Sequence, residues 1–242
     1  MKNTILALVL TLSLTSCSEL IKVLETANTI NKITESEAVS GLKQALEFGV
    51  NNGTSFLGKT DGFLKNAAYK VLMPKEIQEA EQQIRSNPIA NALAGPYLDK
   101  VVTAMNRGSE NAMAEAKPIF VNAIKSMSIK DAIGIVTGGD GAATDYLKRV
   151  TSAQLKSKFT PVIKNSLDKV NINDPWTKVS NAYNMVLGKN VETDLNEYVT
   201  DKAMTALFSQ VRKEEDNIRA NPVARTTDIL KKVFDYADQN KS

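Results

Sequence analysis

The sequence of 242 residues contains no histidine, and its one cysteine is Cys17. Without histidine, the chain cannot carry a serine–histidine–aspartate triad, a cysteine–histidine pair or a histidine-ligated metal. A single cysteine forms no intramolecular disulfide and supplies only one thiolate. We therefore predict no metal site, no cofactor and no catalytic residue. The sequence favours a non-enzyme, because only aspartate, glutamate, lysine, tyrosine, serine and arginine remain for catalysis.

The chain also lacks an excess of one charge. It has 30 lysine and arginine residues against 27 aspartate and glutamate residues, and the two signs are interleaved along its length. Proteins that bind nucleic acids concentrate basic residues on one face. We therefore predict no nucleic-acid partner.

The N-terminus has the pattern of a bacterial lipoprotein signal. Lys2 supplies a positive start, an apolar run extends from Ile5 to Leu14, and Leu14-Thr15-Ser16-Cys17 resembles the lipobox, an aliphatic residue and two small residues before a cysteine. The run is shorter than the roughly 20 apolar residues of a membrane-spanning helix. We predict that residues 1–16 are removed and that Cys17 is lipidated. An ordinary signal peptide that happens to contain a cysteine is the alternative.

Lipidation of Cys17 would make a membrane the first partner of the protein. Residue 18 is serine and not the aspartate associated with retention in the inner membrane of some bacteria. We therefore expect an outer-membrane lipoprotein that faces the periplasm, with the cell surface as the alternative.

Apolar residues recur at helical spacing after this anchor, and no alternating, strand-like run of convincing length is present. We predict an all-α protein with a single multi-helix domain over residues 40–236. A tether helix or linker over residues 17–39 would precede the domain, and a disordered tail over residues 237–242 would follow it.

Local signals predict where several helices begin and end. Asn52-Gly53 is expected to end the first helix, and Pro74 and Pro88 are each expected to begin one. Pro118 should kink or divide the longest periodic region, because proline lacks the N–H group and clashes with the preceding turn. Ser128-Ile129-Lys130-Asp131 has the spacing of a capping box.

Two segments resemble each other within the chain. Both contain a glutamate, an arginine four residues later and then Asn-Pro: Glu81, Arg85 and Asn87-Pro88 in the first, and Glu215, Arg219 and Asn221-Pro222 in the second. Asn-Pro is a common way to begin a helix, with asparagine as the N-cap. We interpret the similarity as local capping, with an old duplication or two related surface sites as the alternatives.

Residues 138–144 contain three glycines but lack the Gly-Lys-Ser/Thr ending of a phosphate-binding loop. We interpret them as a helix end followed by Asp140 as the N-cap of the next helix. A bound anion or metal at that helix start is the alternative.

Several stretches of the chain resemble a bacterial family known as domain of unknown function 4197. This resemblance implies a helical exported protein and implies no activity, because the family is named for lacking one. The resemblance rests on residues 41–46, residues 57–63, Met105-Asn106-Arg107, Glu115-Ala116-Lys117-Pro118-Ile119-Phe120, residues 140–146, Tyr198-Val199-Thr200 and residues 214–228.

Six polar residues form the candidate site; all lie inside the family-like stretches, and all except Asp140 are singled out because they also lie next to apolar stripes. A guanidinium at a helix-packing surface is usually paired with a carboxylate. We therefore favour an ion-pair network between the central helix and the C-terminal segment over a pocket for an anionic ligand such as a lipid head group or a glycan. The six residues are Arg107, Glu115, Asp140, Glu215, Arg219 and Arg225.

Three functions are consistent with these features. The leading hypothesis is a non-enzymatic envelope lipoprotein that binds or organises other envelope components, with an envelope protein or a lipid as partner. One alternative is a carrier of a lipid or other apolar ligand. The other is a carboxylate-based hydrolase of envelope glycans, although the adjacent Glu214 and Glu215 would point about 100° apart on a helix.

Overall fold

A computed structural model describes residues 34–172, 176, 194–225 and 227–239. Over these ranges the protein is helical and contains no strand, which confirms the predicted all-α fold. The predicted lipidation signal and the end of the predicted tail lie outside the described residues. The helices are α1 (Glu35–Gly58), α2 (Lys75–Ser86), α3 (Pro88–Lys125), α4 (Ile129–Val136), α5 (Ala142–Asp168), α6 (Leu195–Ala220) and α7 (Asp228–Gln239), and a 3-10 turn (Pro222–Ala224) joins the last two.

Four long helices form the centre of the fold. α3 packs against α1 and α5, and α6 packs against the same two helices, so that the four enclose one apolar core. Phe120 of α3 meets Phe208 of α6 edge to face, with ring centroids 5.9 Å apart. α4 and α7 pack on α1, and α2 packs on α3.

The first helix is longer at both ends than the sequence predicted. The hydroxyl of Thr34 accepts a hydrogen bond from the N–H of Glu37 at 3.2 Å, and the Glu37 carboxylate accepts one from the N–H of Thr34 at 2.9 Å. This capping box begins the helix at Glu35, five residues before the predicted domain start at Ser40.

The predicted end of α1 at Asn52-Gly53 is wrong, because the helix continues to Gly58. A β-carbon on Gly53 would lie 3.5 Å from the side chain of Gln210, which is ordinary van der Waals contact, so Gly53 faces α6 in the helix interface. Packing between helices therefore outweighs the low helix propensity of this dipeptide.

The signals at Pro88 and Ser128 are confirmed. The Asn87 side chain accepts hydrogen bonds from the N–H groups of Ile89 and Ala90, both at 3.0 Å, and Pro88 is the first residue of α3. The predicted capping box at the start of α4 is also present, with Ser128 bonded to Asp131.

Two other expectations about helix ends are corrected. Of the two outcomes expected at Pro118, a kink or a division, the division is wrong, because α3 runs on to Lys125; Pro118 and Ala114, whose carbonyl Pro118 leaves unbonded, are both exposed. At the C-terminus α7 extends to Gln239, so the predicted tail from residue 237 begins inside a helix.

α1 and α3 run antiparallel. The Lys43 ammonium group donates to the carbonyl of Lys125 at 3.1 Å, and Gly58 at the other end of α1 lies against Met113. The first part of α3 therefore extends beyond the end of α1. Within residues 88–100 only Gly95 is buried, and α2 and this part of α3 form a helical hairpin at one end of the molecule.

Candidate functional site

The N-terminus of α5 is bound by a carboxylate from another helix. Glu215 of α6 accepts hydrogen bonds from the N–H of Ala143 at 3.1 Å, from the N–H of Thr144 at 2.9 Å and from the Thr144 hydroxyl at 2.7 Å. The N-cap residue itself is Gly141, which has no side chain to supply a cap. Glu215 therefore satisfies backbone donors that the α5 sequence leaves free.

Two buried arginines bind nearby helix ends, and one of them pairs with this carboxylate. Arg219 donates to Glu215 at 2.9 Å and to the carbonyl of Ile135, at the end of α4, at 3.0 Å. Arg225 donates to the carbonyls of Ile218 at 3.3 Å and Arg219 at 2.9 Å, which holds the turn after α6. We call Glu215, Arg219 and Arg225 the capping cluster, because all three bind backbone groups at helix ends.

The protonation of Glu215 follows from its surroundings. Burial raises the pKa of this carboxyl group, but hydrogen bonds from Thr144, Ala143 and Arg219 together lower it by more, so that the net pKa lies below the ordinary value of 4.5. Glu215 is therefore ionised at neutral pH. A carboxylate that already accepts hydrogen bonds on both oxygens is poorly suited to general acid catalysis.

Arg107 belongs to a second, separate cluster. It donates to Glu110 at 2.6 Å and to Asp61 at 2.7 Å, and these hydrogen bonds raise its pKa. The buried Glu110 also accepts from the N–H groups of Phe63 and Leu64, both at 3.1 Å. These bonds attach the segment after α1 to the side of α3.

Asn106 completes this attachment. Its side-chain oxygen accepts from the N–H of Val71 at 2.8 Å, and its amide nitrogen donates to the carbonyls of Val71 and Val102 at 2.9 and 2.7 Å. Asn106 and Glu110 are the cluster residues that sequence reasoning missed. The sequence did contain a signal for them: both are polar residues within an apolar helical stripe that includes Met105 and Ala112. We call Asp61, Asn106, Arg107 and Glu110 the loop cluster.

The remaining two residues of the predicted site join neither cluster. Glu115 is half-buried on α3, one and a half turns after Glu110. Asp140 is exposed before α5, where it adds a weak attraction to Arg212 after that residue's main partner, Asp216. The expectation that Asp140 caps α5 is wrong, because Gly141 occupies the N-cap and Glu215 supplies the acceptor.

Two spaces in the described fold differ greatly in size. A cavity of about 20 Å³ lies beside Glu215 and Arg219, between α1, α5, α6 and α7, which is room for about one water molecule. A surface groove of about 420 Å³ lies between α3 and the end of α5. Three cations and one carboxylate line the groove: Lys100, Arg107, Lys169 and Asp99.

The described residues hold no group of three or more cysteine, aspartate and glutamate side chains placed to bind a metal ion. In the same part of the chain, no helix has the length and apolar character needed to cross a membrane. The polar side chains that the structure brings together thus bind backbone groups and one another.

The comparisons with known proteins agree with the family-like stretches of the sequence. No curated protein and no solved structure matches the chain. One family model, described as a protein of unknown function, matches residues 32–235, which contain all the described helices except the last turn of α7. The chain belongs to this family, DUF4197.

Proposed function

We propose that this chain is an envelope lipoprotein, anchored through Cys17, whose helical domain binds or organises other envelope components without catalysing a reaction. The support for the anchor is Leu14-Thr15-Ser16-Cys17 after a basic start and an apolar run. The family match is consistent with this interpretation, because it begins at residue 32 and leaves the N-terminal segment outside the helical domain.

The non-catalytic part of the proposal rests on one observation: two buried carboxylates accept hydrogen bonds on both of their oxygens. Glu215 accepts four hydrogen bonds, and Glu110 accepts three. Each therefore joins segments distant in sequence through hydrogen bonds to both carboxylate oxygens. A glycan hydrolase needs one carboxylic acid with a raised pKa, whereas the pKa of Glu215 is lowered.

Size argues against transport of an apolar ligand in the cavity beside Glu215. The cavity beside Glu215 has about 20 Å³, whereas pockets for small ligands have roughly 300–1,000 Å³. The groove of about 420 Å³ is large enough, but cations line it. It supports an anionic ligand as a second candidate function, with Lys100 and Lys169 as the side chains to change.

Two experiments test this proposal on the full-length protein expressed in a bacterium. Intact mass and membrane fractionation would show whether Cys17 carries lipid, and Cys17→Ala should move the protein from the membrane fraction to the soluble fraction. Unmodified Cys17 in the wild-type protein would overturn the anchor.

Photo-cross-linking from Asn111, an exposed residue of the groove, tests binding in intact cells. A discrete adduct that disappears in the double variant Lys100→Glu/Lys169→Glu would support an anionic ligand. Hydrolysis of envelope glycans by the purified lipoprotein, lost in Glu215→Gln under conditions in which that variant is still folded but kept in Glu81→Gln, would instead overturn the non-catalytic proposal.

A further inference from the structure

The helical hairpin of α2 and α3 carries an exposed surface without charge. Residues 86–98 contain no aspartate, glutamate, lysine or arginine over thirteen positions, in a chain in which charged residues make up 24%. Ile89, Leu93 and Tyr97 follow one another at intervals of four on α3, so that they lie on one side of the helix. They are 75%, 81% and 43% exposed. We call these three residues the hairpin face.

We propose that the hairpin face inserts into the lipid surface of the membrane to which Cys17 anchors the chain. This inference rests on the anchor of the proposed function and adds a second membrane contact. Interfacial helices place large apolar side chains at the boundary between head groups and acyl chains, and tyrosine is favoured at that depth.

Area argues for a membrane rather than a second copy of the chain. Fully buried aliphatic or aromatic side chains each remove about 60–120 Å² of apolar surface from water, so the three residues supply on the order of 300 Å² at most. A stable protein–protein interface needs about 800 Å² from each partner. A small apolar contact is sufficient at a membrane, because the lipid anchor already holds the protein there at a high effective concentration.

The charge pattern defines the edge of the surface. Arg85 and Asp99 stand at the two ends of the uncharged segment and are paired with each other at 2.9 Å, and Arg85 also binds Glu81 at 2.9 Å. The first charges on each side of the uncharged segment are thus ion-paired with each other, and together with Glu81 they carry a net charge of −1. Insertion of the three apolar side chains therefore does not require an unpaired charge of this segment to enter the membrane.

The chain between the anchor and the domain is long enough for this contact. From Leu93 to Lys125, α3 rises about 48 Å, and Thr34 lies beyond the Lys125 end. Residues 17–33 can extend to roughly 55–60 Å. Because Thr34 lies nine residues before Lys43, about 14 Å further along α1, the hairpin face can reach the anchoring membrane with α3 parallel to the lipid surface or inclined to it, but not with α3 perpendicular to it.

The test uses the lipidated protein and a single engineered thiol. Cys17 is the only native cysteine, and its sulfur is blocked by the lipid, so Leu93→Cys provides a unique position for an environment-sensitive fluorophore. Val223→Cys is the matched control, because Val223 is an apolar residue with 87% exposure in the turn after α6. The labelled proteins are reconstituted into phosphatidylethanolamine–phosphatidylglycerol vesicles that contain a doxyl-labelled lipid.

We expect the doxyl lipid to quench the fluorophore at position 93 several-fold more than at position 223, and aqueous iodide to show the reverse order. Equal access of iodide to both positions would overturn the inference. A second outcome would also overturn the inference: position 93 is protected from iodide but not quenched by the doxyl lipid, and this protection disappears when the protein is diluted to one copy per vesicle. That result would assign the hairpin face to a contact with a second copy of the chain. If Cys17 carries no lipid, intact mass and vesicle flotation reveal this first, and the anchor of the proposed function has failed instead.

Discussion

Glu215 of α6 closes the first turn of α5 by accepting two hydrogen bonds from Thr144, one from its N–H at 2.9 Å and one from its hydroxyl at 2.7 Å. The two residues lie 71 positions apart in sequence. A carboxylate at a helix N-terminus also interacts favourably with the helix dipole. The cap of α5 is therefore a tertiary contact, and its loss should weaken the packing of α5 on α6 as well as one helix end.

Replacement of Glu215 by glutamine should destabilise the protein strongly. The variant keeps the size of the side chain but removes the charge that binds Arg219, whose guanidinium would stay buried. Breaking a buried pair from one side costs about 3–5 kcal/mol. We expect a loss of about 3 kcal/mol in the free energy of unfolding, measured by urea denaturation of the full-length protein in detergent.

Glu81→Gln is the matched control for this experiment. Glu81 pairs with Arg85 at the same spacing and the same distance of 2.9 Å, but the arginine side chain is 36% exposed. Exposed pairs of this type contribute about 0.5 kcal/mol or less. Similar losses of unfolding free energy in the two variants would show that the contribution of the capping cluster to stability does not depend on its burial.

The contribution of Glu215 should depend on pH. Its pKa is lowered in the folded protein, since its hydrogen bonds outweigh the effect of burial. The stabilisation is therefore present above the unfolded pKa, near 4.5, and is lost as pH falls through the lower folded pKa. Acidification will destabilise the wild type and Glu215→Gln alike through other carboxylates with lowered pKa values, including Asp61 and Glu37.

The difference in unfolding free energy between the wild type and Glu215→Gln isolates the contribution of Glu215 to stability. We expect the difference in unfolding free energy to be constant from about pH 7 to about pH 5 and to shrink below the unfolded pKa. Urea denaturation at a series of pH values measures it. A difference that grows on acidification would mean that Glu215 binds a proton more tightly in the folded state, against the hydrogen-bonding argument.

Local sequence signals were sufficient for part of this fold. Asn87 and Ser128 bind N–H groups two or three residues away, so their capping roles follow from short motifs. The end of α1 did not follow, because α1 continues past Asn52-Gly53 where Gly53 packs against α6, a helix distant in sequence. Helix type could be predicted from periodicity, whereas this helix end required the tertiary structure.

The same distinction applies to the candidate site. The pairing of Glu215 with Arg219 is local, at a spacing of four on one helix. The sequence pointed to Asp140 as the cap of α5 because it stands close before the helix, but the acceptor comes from α6. Asn106 and Glu110 bind segments 35 and 47 residues away, and no motif encodes such a contact.

Gly141 and Gly139 should respond differently to alanine. Gly141 has a φ of +87°, in the left-handed region that other residues enter at a cost of about 1–2 kcal/mol. The Arg212 guanidinium also occupies the space of an added β-carbon. We expect Gly141→Ala to lower the free energy of unfolding by about 1–2 kcal/mol or more.

Gly139→Ala is the control two residues earlier, because an added β-carbon there meets no atom within 4 Å. It should change stability by about 0.5 kcal/mol or less. Thermal or urea unfolding of the two variants measures the effect. Equal stability of the two proteins would be inconsistent with a strained Gly141 position at the start of α5.

Asn106→Asp tests whether the loop cluster holds the segment between α1 and α2. The substitution keeps the acceptor for the N–H of Val71 but removes the donors to the carbonyls of Val71 and Val102. A buried carboxylate would then face two carbonyl oxygens, so we expect a loss of about 2–4 kcal/mol. Asn111→Asp on the exposed side of α3 should cost about 0.5 kcal/mol or less.

Amide hydrogen exchange locates the change. In Asn106→Asp, the amide of Val71 should exchange faster by a larger factor than the core amides of α5, because its acceptor is a repelled carboxylate and its carbonyl has lost a donor. Uniform acceleration across the protein would mean that Asn106 contributes to global stability without holding this segment. Val71 lies three residues before Pro74, the N-cap of α2. A selective effect would therefore also show that the segment leading into α2 is held in place by a side chain of α3.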